Sequence, residues 1–157
     1  MLKKYPLIFL LCAAIFALVF AYISEFIFEL KPCVLCLYQR KPFFAIIALC
    51  ALQLAFFRNK KAEKFFFFCC LALLALNIGI ASYHVGVEQK IFQGPTTCSA
   101  DELNNLQNVE ELAAALAQTK AIRCDAPSFV FLGVSMAGWN VFYSLFLLIA
   151  ALFLKKK

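Results

Sequence analysis

Four of the eight cysteines in this sequence stand where they could do chemistry. Cys33 and Cys36 lie two residues apart in Pro32-Cys33-Val34-Leu35-Cys36-Leu37-Tyr38-Gln39-Arg40, and Cys98 and Cys124 lie in a long polar segment. Cys12, Cys50, Cys69 and Cys70 fall inside apolar runs and read as inert buried thiols. A Cys-x-x-Cys can be half of a zinc site, but no second Cys-x-x-Cys or Cys/His cluster stands nearby in the sequence, so no metal site is expected. It can attach haem when histidine follows directly, but Leu37 follows Cys36. A thiol–disulfide redox pair is left. Two-residue spacing lets the sulfurs meet on the first turn of a helix. The free N–H groups and positive end there stabilise a thiolate, most strongly at Cys33.

Arg40 follows Cys36 by one helical turn and shares its face. Its guanidinium either reaches to headgroup phosphates or donates hydrogen bonds to an oxygen of a bound electron acceptor. Lys41 adds positive potential. His84, the one histidine of the chain, and Glu88 form a second i, i+4 pair. His84 is either an interfacial hydrogen-bonding residue or a flank of the same acceptor pocket. Cys98 and Cys124 either staple their loop or exchange with the first pair, which would make the two pairs an electron relay.

The elements that must position these residues are apolar helices. Of 157 residues 64% are hydrophobic, 19 of them Phe, well above the roughly one half usual in soluble domains. The apolar residues form four runs, so spanning helices are expected rather than a water-surrounded core. The expected fold is all-α, a transmembrane four-helix bundle in one domain. Its spans are expected near 5–28, 37–57, 65–87 and 136–154. The joining loops are 29–36, 58–64 and 88–135. The first run lacks a convincing cleavage motif and is read as a retained helix. Pro42 falls in the first turns of the second helix and should distort its start.

A net charge of +6 could suggest nucleic acid, but the basic residues sit in clusters between apolar runs. Lys3, Lys4, the 58–64 loop and the terminal lysines together carry nine basic residues and one acidic residue. The other side carries six basic and eight acidic residues. The basic side should be cytoplasmic, with both termini there. Cys33, Cys36, Cys98 and Cys124 then face outward, in a bacterium toward the periplasm, where disulfides persist. Within the second outward loop, Ser99-Ala100-Asp101-Glu102 matches a capping box. Leu103, Leu106, Val109, Ala113 and Leu116 then recur at helical spacing. A short amphipathic helix is expected there, lying in the membrane interface or packed on its own loop. Residues 129–135 should approach the last span along the membrane surface, with Trp139 at headgroup level.

The chain resembles the DsbB family of bacterial disulfide-bond-forming membrane proteins. The likeness rests on Cys33-Val34-Leu35-Cys36-Leu37-Tyr38-Gln39-Arg40, on Cys98 and Cys124, and on Cys124-Asp125 followed by Phe131-Leu132-Gly133 and Ala137-Gly138-Trp139-Asn140. It implies a quinone-dependent protein-dithiol oxidoreductase of the inner membrane that reoxidises a periplasmic DsbA-like thioredoxin-fold protein. By position, Cys98 would form the mixed disulfide with that partner and Cys124 would resolve it. Electrons would pass to the Cys33–Cys36 pair. Cys36 would contact ubiquinone or menaquinone, Arg40 would bond a quinone oxygen, and His84 would lie near the ring. Gln39 stands where some members carry an acidic residue. Three other readings compete: a dithiol protein that reduces its partner, an outward-facing copper-handling membrane protein, and a scaffold stapled by Cys98–Cys124.

Overall fold

The computed structural model describes residues 5–56, 59–95, 124–127 and 129–156. Cys98 and the expected amphipathic helix lie outside the described residues. Four helices are described: α1 (Tyr5–Phe26), α2 (Val34–Phe56), α3 (Lys60–Glu88) and α4 (Met136–Lys156). Each is long and apolar enough to cross a membrane. They form a four-sided bundle in which α1 packs on α2 and α4, and α3 packs on α2 and α4.

Each helix buries one stripe. Leu7, Leu10, Ala14 and Leu18 of α1 meet Phe43, Ile46 and Cys50 of α2, Phe67, Cys70 and Leu74 of α3, and Leu147 and Ala151 of α4. These positions recur at three- and four-residue spacing, so one face of each helix supplies them. The outward faces carry large exposed apolar side chains, among them Phe16, Phe26, Phe56, Phe146 and Phe153. The interior holds Gln39, Gln53, Asn77, His84 and Ser144. Apolar outside with polar groups inside is the distribution of a bundle solvated by lipid. Cys50 and Cys70 approach to 3.8 Å in the core, both free.

Two helices begin earlier than their hydropathy suggests. α2 starts at Val34 rather than 37, with Pro42 accommodated inside it. α3 starts at Lys60 rather than 65, because the Asn59 side chain accepts from the Ala62 N–H at 2.6 Å and caps it. α3 closes on a Schellman turn: Lys90 sits at φ 60°, its N–H bonds the Val87 carbonyl, and the Ile91 N–H bonds the Gly86 carbonyl at 2.8 Å. The chain then doubles back, and Phe92 stacks on Tyr83 with ring centroids 5.7 Å apart. Gly86 has no room for a Cβ, which would strike the Phe92 ring.

The expected surface approach to the last span is a β-hairpin. β1 (Val130–Phe131) pairs antiparallel with β2 (Val134–Ser135). Its turn residues, Leu132 at φ 53° and Gly133 at φ 78°, are both left-handed, as a type I′ turn requires. Trp139 Nε1 donates to the Phe131 carbonyl at 3.1 Å and fastens the hairpin to α4.

Candidate redox site

The start of α2 makes Cys33 a helix cap. Its sulfur accepts from the Cys36 N–H at 3.3 Å, and its carbonyl accepts from the Leu37 N–H. A thiol in this place meets the orphan N–H groups and the positive end of the helix. The Cys33 and Cys36 sulfurs stand 3.2 Å apart, both free, with Cys33 buried and Cys36 half-buried. The side-chain hydrogen bond with Cys36 holds Cys33 well below the usual thiol range, down to about 4; burial opposes this and His84 assists it. The helix start contributes through the Cys36 N–H, which is the smallest of these causes.

α3 brings His84 to the same sulfur. Nε2 of His84 lies 3.4 Å from Cys33 Sγ, and the residue is only 2% exposed. Nδ1 lies 2.7 Å from the Gln39 amide nitrogen. Asn140 of α4 fixes which way that amide faces, because its Nδ2 donates to Gln39 Oε1 at 2.6 Å. Gln39 must then donate to Nδ1, which leaves the ring proton on Nε2, directed at Cys33. Behind Asn140, Asn77 donates to Ser144 at 2.9 Å and to Asn140 Oδ1 at 3.3 Å. One polar file therefore runs from the bundle interior to Cys33, through residues of α2, α3 and α4. Such a file is costly to leave half-satisfied in a dry interior.

Arg40 turns the other way, toward α1. Its Nη1 donates to Glu25 Oε2 at 2.5 Å, its Nη2 to the Ala21 carbonyl at 3.4 Å, and its guanidinium lies 5.0 Å from the Tyr22 ring centre. Those hydrogen bonds use two of its five N–H groups. Lys41 lies over Tyr38, 4.1 Å from the ring centre. Glu88 follows His84 by one turn, with Oε1 3.8 Å from Nε2.

Cys124 is disulfide-bonded and buried. It forms one apolar cluster with Cys33, Leu35 and Val87, against which Cys36 packs. Of the residues singled out in the sequence, Cys33, Cys36, His84, Glu88 and Cys124 thus converge, Arg40 sits one turn away on the α1 side, and Cys98 lies outside the described residues. Sequence reasoning noted Gln39 only for its charge and gave Asn140 and Asn77 no role. Their one signal is polarity within helices whose other buried positions are almost all apolar.

A bundle of four membrane-length helices around a buried dithiol, with a histidine aimed at one sulfur, defines a membrane-embedded thiol-redox protein. The chain belongs to the DsbB family: the family model for disulfide bond formation protein DsbB matches residues 3–154. It is 28% identical over 144 residues to the Uncharacterized protein RP370 of Rickettsia prowazekii, covering 89% of this chain and 80% of that protein. It is also 28% identical over 150 residues to Disulfide bond formation protein B of Acinetobacter baumannii, covering 91% of this chain and 85% of that protein. No solved structure matches the chain. The chain is accordingly a multi-pass membrane oxidoreductase of disulfide bond formation.

Proposed function

We propose that the protein reoxidises a DsbA-like thioredoxin-fold dithiol protein and delivers the two electrons to a membrane quinone. The observation that carries this reading is the burial of Cys124 in one cluster with Cys33. That contact brings a sulfur of the second loop to the pair capping α2. Termini and the 58–64 loop lie in the cytoplasm on this reading, and the four cysteines of the relay face the periplasm.

The exchanges balance as follows. The partner's dithiol reduces the Cys98–Cys124 disulfide: one partner thiolate attacks Cys98, Cys124 leaves as a thiolate, and the partner's second thiol resolves the mixed disulfide, so the partner leaves oxidised and Cys98/Cys124 is left as a dithiol. The Cys98/Cys124 dithiol then reduces the Cys33–Cys36 disulfide, which regenerates its own disulfide. Two electrons and two protons leave the Cys33/Cys36 dithiol for the acceptor.

Cys33 suits exchange with Cys124, since the two share one buried cluster and its thiol is lowered by the hydrogen bond with Cys36. His84, its tautomer set by Gln39, keeps a proton at Nε2 beside that sulfur. Cys36 is the more accessible sulfur and suits contact with the acceptor. Arg40 has N–H groups beyond those used by Glu25 and Ala21, so Cys36 and Arg40 would hold a quinone headgroup. When bound, a quinone supplies a two-electron, two-proton acceptor.

The test is a trapping experiment. With the protein's own cysteines intact and the second cysteine of the thioredoxin-fold partner replaced by serine, a mixed disulfide between that partner and Cys98 should accumulate in the membrane and run as one band without reductant. Absence of that band, or its persistence in Cys98→Ser, contradicts the proposal.

A further inference from the structure

We infer that the reduced Cys33/Cys36 pair, with His84, is a capture site for a thiophilic divalent cation of the zinc class. The sequence offers no Cys/His cluster next to Cys33-Val34-Leu35-Cys36, but the fold supplies one from α3. The Cys33 sulfur, the Cys36 sulfur and a ring nitrogen of His84 all lie within 4.8 Å of one another. Separations within the set are 3.2 Å between the sulfurs and 3.4 Å from Cys33 Sγ to His84 Nε2; Glu88 Oε1, outside the set, lies 3.8 Å from Nε2.

These separations match the edges of a tetrahedral zinc shell. With Zn–S of about 2.3 Å and Zn–N of about 2.0–2.1 Å, the edges are about 3.8 Å for S···S and about 3.5 Å for S···N. Each observed separation is within a few tenths of an ångström to about half an ångström of its edge. The donors are two thiolates and an imidazole with the fourth position open to water, a borderline-soft set that zinc and cobalt accept and magnesium or calcium does not.

The surroundings supply the second shell. A cation at Nε2 needs the ring proton on Nδ1. The Gln39 amide, 2.7 Å from Nδ1, accepts that proton's hydrogen bond once it and the Asn140 amide turn over together, Gln39 presenting Oε1 to Nδ1 and donating from Nε2 to Asn140 Oδ1. A carbonyl behind the histidine is the usual support at a zinc site. Binding displaces the thiol protons of Cys33 and Cys36 to solvent and moves the ring proton from Nε2 to Nδ1 by way of solvent.

Redox state gates the site. In the disulfide form the two sulfurs are bonded to each other and cease to be thiolate donors. Capture is therefore confined to the dithiol stage, where it ties up both sulfurs and halts exchange with Cys124. This inference does not depend on the identity of the electron acceptor.

The full chain in detergent micelles tests it, with Cys98→Ser and Cys124→Ser introduced so that the second pair contributes no thiolates. After reduction and anaerobic removal of reductant, titration with Co2+ should give sulfur-to-cobalt charge-transfer absorption and the visible bands of tetrahedral Co2+, saturating at one ion per chain. Zn2+ should bleach both. Cys33→Ser and Cys36→Ser should each abolish the charge-transfer signal, and His84→Gln should weaken binding by at least about tenfold. Protein oxidised to the Cys33–Cys36 disulfide should give no bands. As a readout independent of variant folding, Zn2+ should protect Cys33 and Cys36 of the unsubstituted pair from alkylation, as read by mass spectrometry. Lack of a charge-transfer band in the reduced protein overturns the inference. Equal bands in the oxidised protein or in Cys33→Ser, undiminished affinity in His84→Gln, or lack of protection by Zn2+ also overturns it.

Discussion

The Gln39 amide nitrogen stands 2.7 Å from Nδ1 of His84, and this contact decides which ring nitrogen faces Cys33. Gln39 and His84 are 45 residues apart in the chain, and the pair exists because α2 and α3 pack side by side. Gln39→Leu removes the donor and strands Nδ1 of His84 and Nδ2 of Asn140 in a dry interior. Leaving such groups unpaired costs roughly 1–3 kcal/mol. The melting temperature in micelles should fall. The iodoacetamide reaction of Cys33 should shift its midpoint to higher pH as the histidine's aim is lost. A melting temperature and pH profile both unchanged would remove Gln39 from the file.

The pH dependence of stability has a definite sign. Cys33 is lowered from 9.0 to about 4 in the folded chain, so the unfolded chain binds its proton more tightly. Between pH about 4 and about 9 stability rises with pH. The contribution is complete above the unfolded value and is lost as pH falls through the folded one. Denaturation of the reduced protein across that window should show this slope, and Cys33→Ser should flatten it. A slope that survives Cys33→Ser would assign it to another group.

Arg40→Ala separates the two halves of the proposed relay. The guanidinium touches Glu25, Ala21 and Tyr22, and none of these contacts involves Cys33 or Cys124. The substitution should raise the quinone concentration needed for half-maximal turnover by about tenfold or more, the cost of one lost charge-assisted hydrogen bond. Single-turnover disulfide exchange at Cys98 should hold its rate. Equal loss in both steps would mean that Arg40 holds α1 against α2 and does no more.

Among the described residues three non-glycines occupy left-handed positions where glycine is favoured, Glu29 at φ 53° in the first outward loop and two others. Lys90 sits at φ 60° in the turn that ends α3, and Leu132 sits at φ 53° in the hairpin turn while 78% exposed. Lys90→Gly should stabilise the protein by about 1 kcal/mol, since the left-handed cost for an L-residue is about 1–2 kcal/mol. The read-out is thermal unfolding in micelles. A drop in stability would show that the Lys90 side chain makes contacts worth more than the strain.

The bundle was legible in the sequence because lipid imposes a simple rule: each run of membrane length is a helix, and the lysines mark its ends. The first pair was legible for a related reason, since Cys33 and Cys36 are neighbours on one turn. Less visible were the exact helix starts. Cys33 and Asn59 cap α2 and α3 with side-chain acceptors, a local contact that outweighs the polarity of Lys60, Lys61 and Lys64. The hairpin was hidden because Phe129 to Ser135 reads as one apolar stretch. Its only cue is Gly133 between the β-branched Val130 and Val134, and Leu132 at positive φ is not a choice that sequence preference would suggest. The polar file was hidden for a deeper reason. Asn140 and Gln39 are 101 residues apart, and their meeting depends on how each helix is rotated in the bundle. The same rotation brings His84 and Glu88 to the cysteines, and spacing along one chain does not encode it.

The central claim is that a dithiol's electrons leave through Cys36 to a quinone. The purified protein, supplied with a reduced DsbA-like protein and ubiquinone, should reduce one quinone for every two thiols lost, followed by the loss of quinone absorbance. Cys36→Ser should abolish that signal while the protein remains folded. Thiol loss without quinone reduction, or full quinone reduction by Cys36→Ser, would contradict the account.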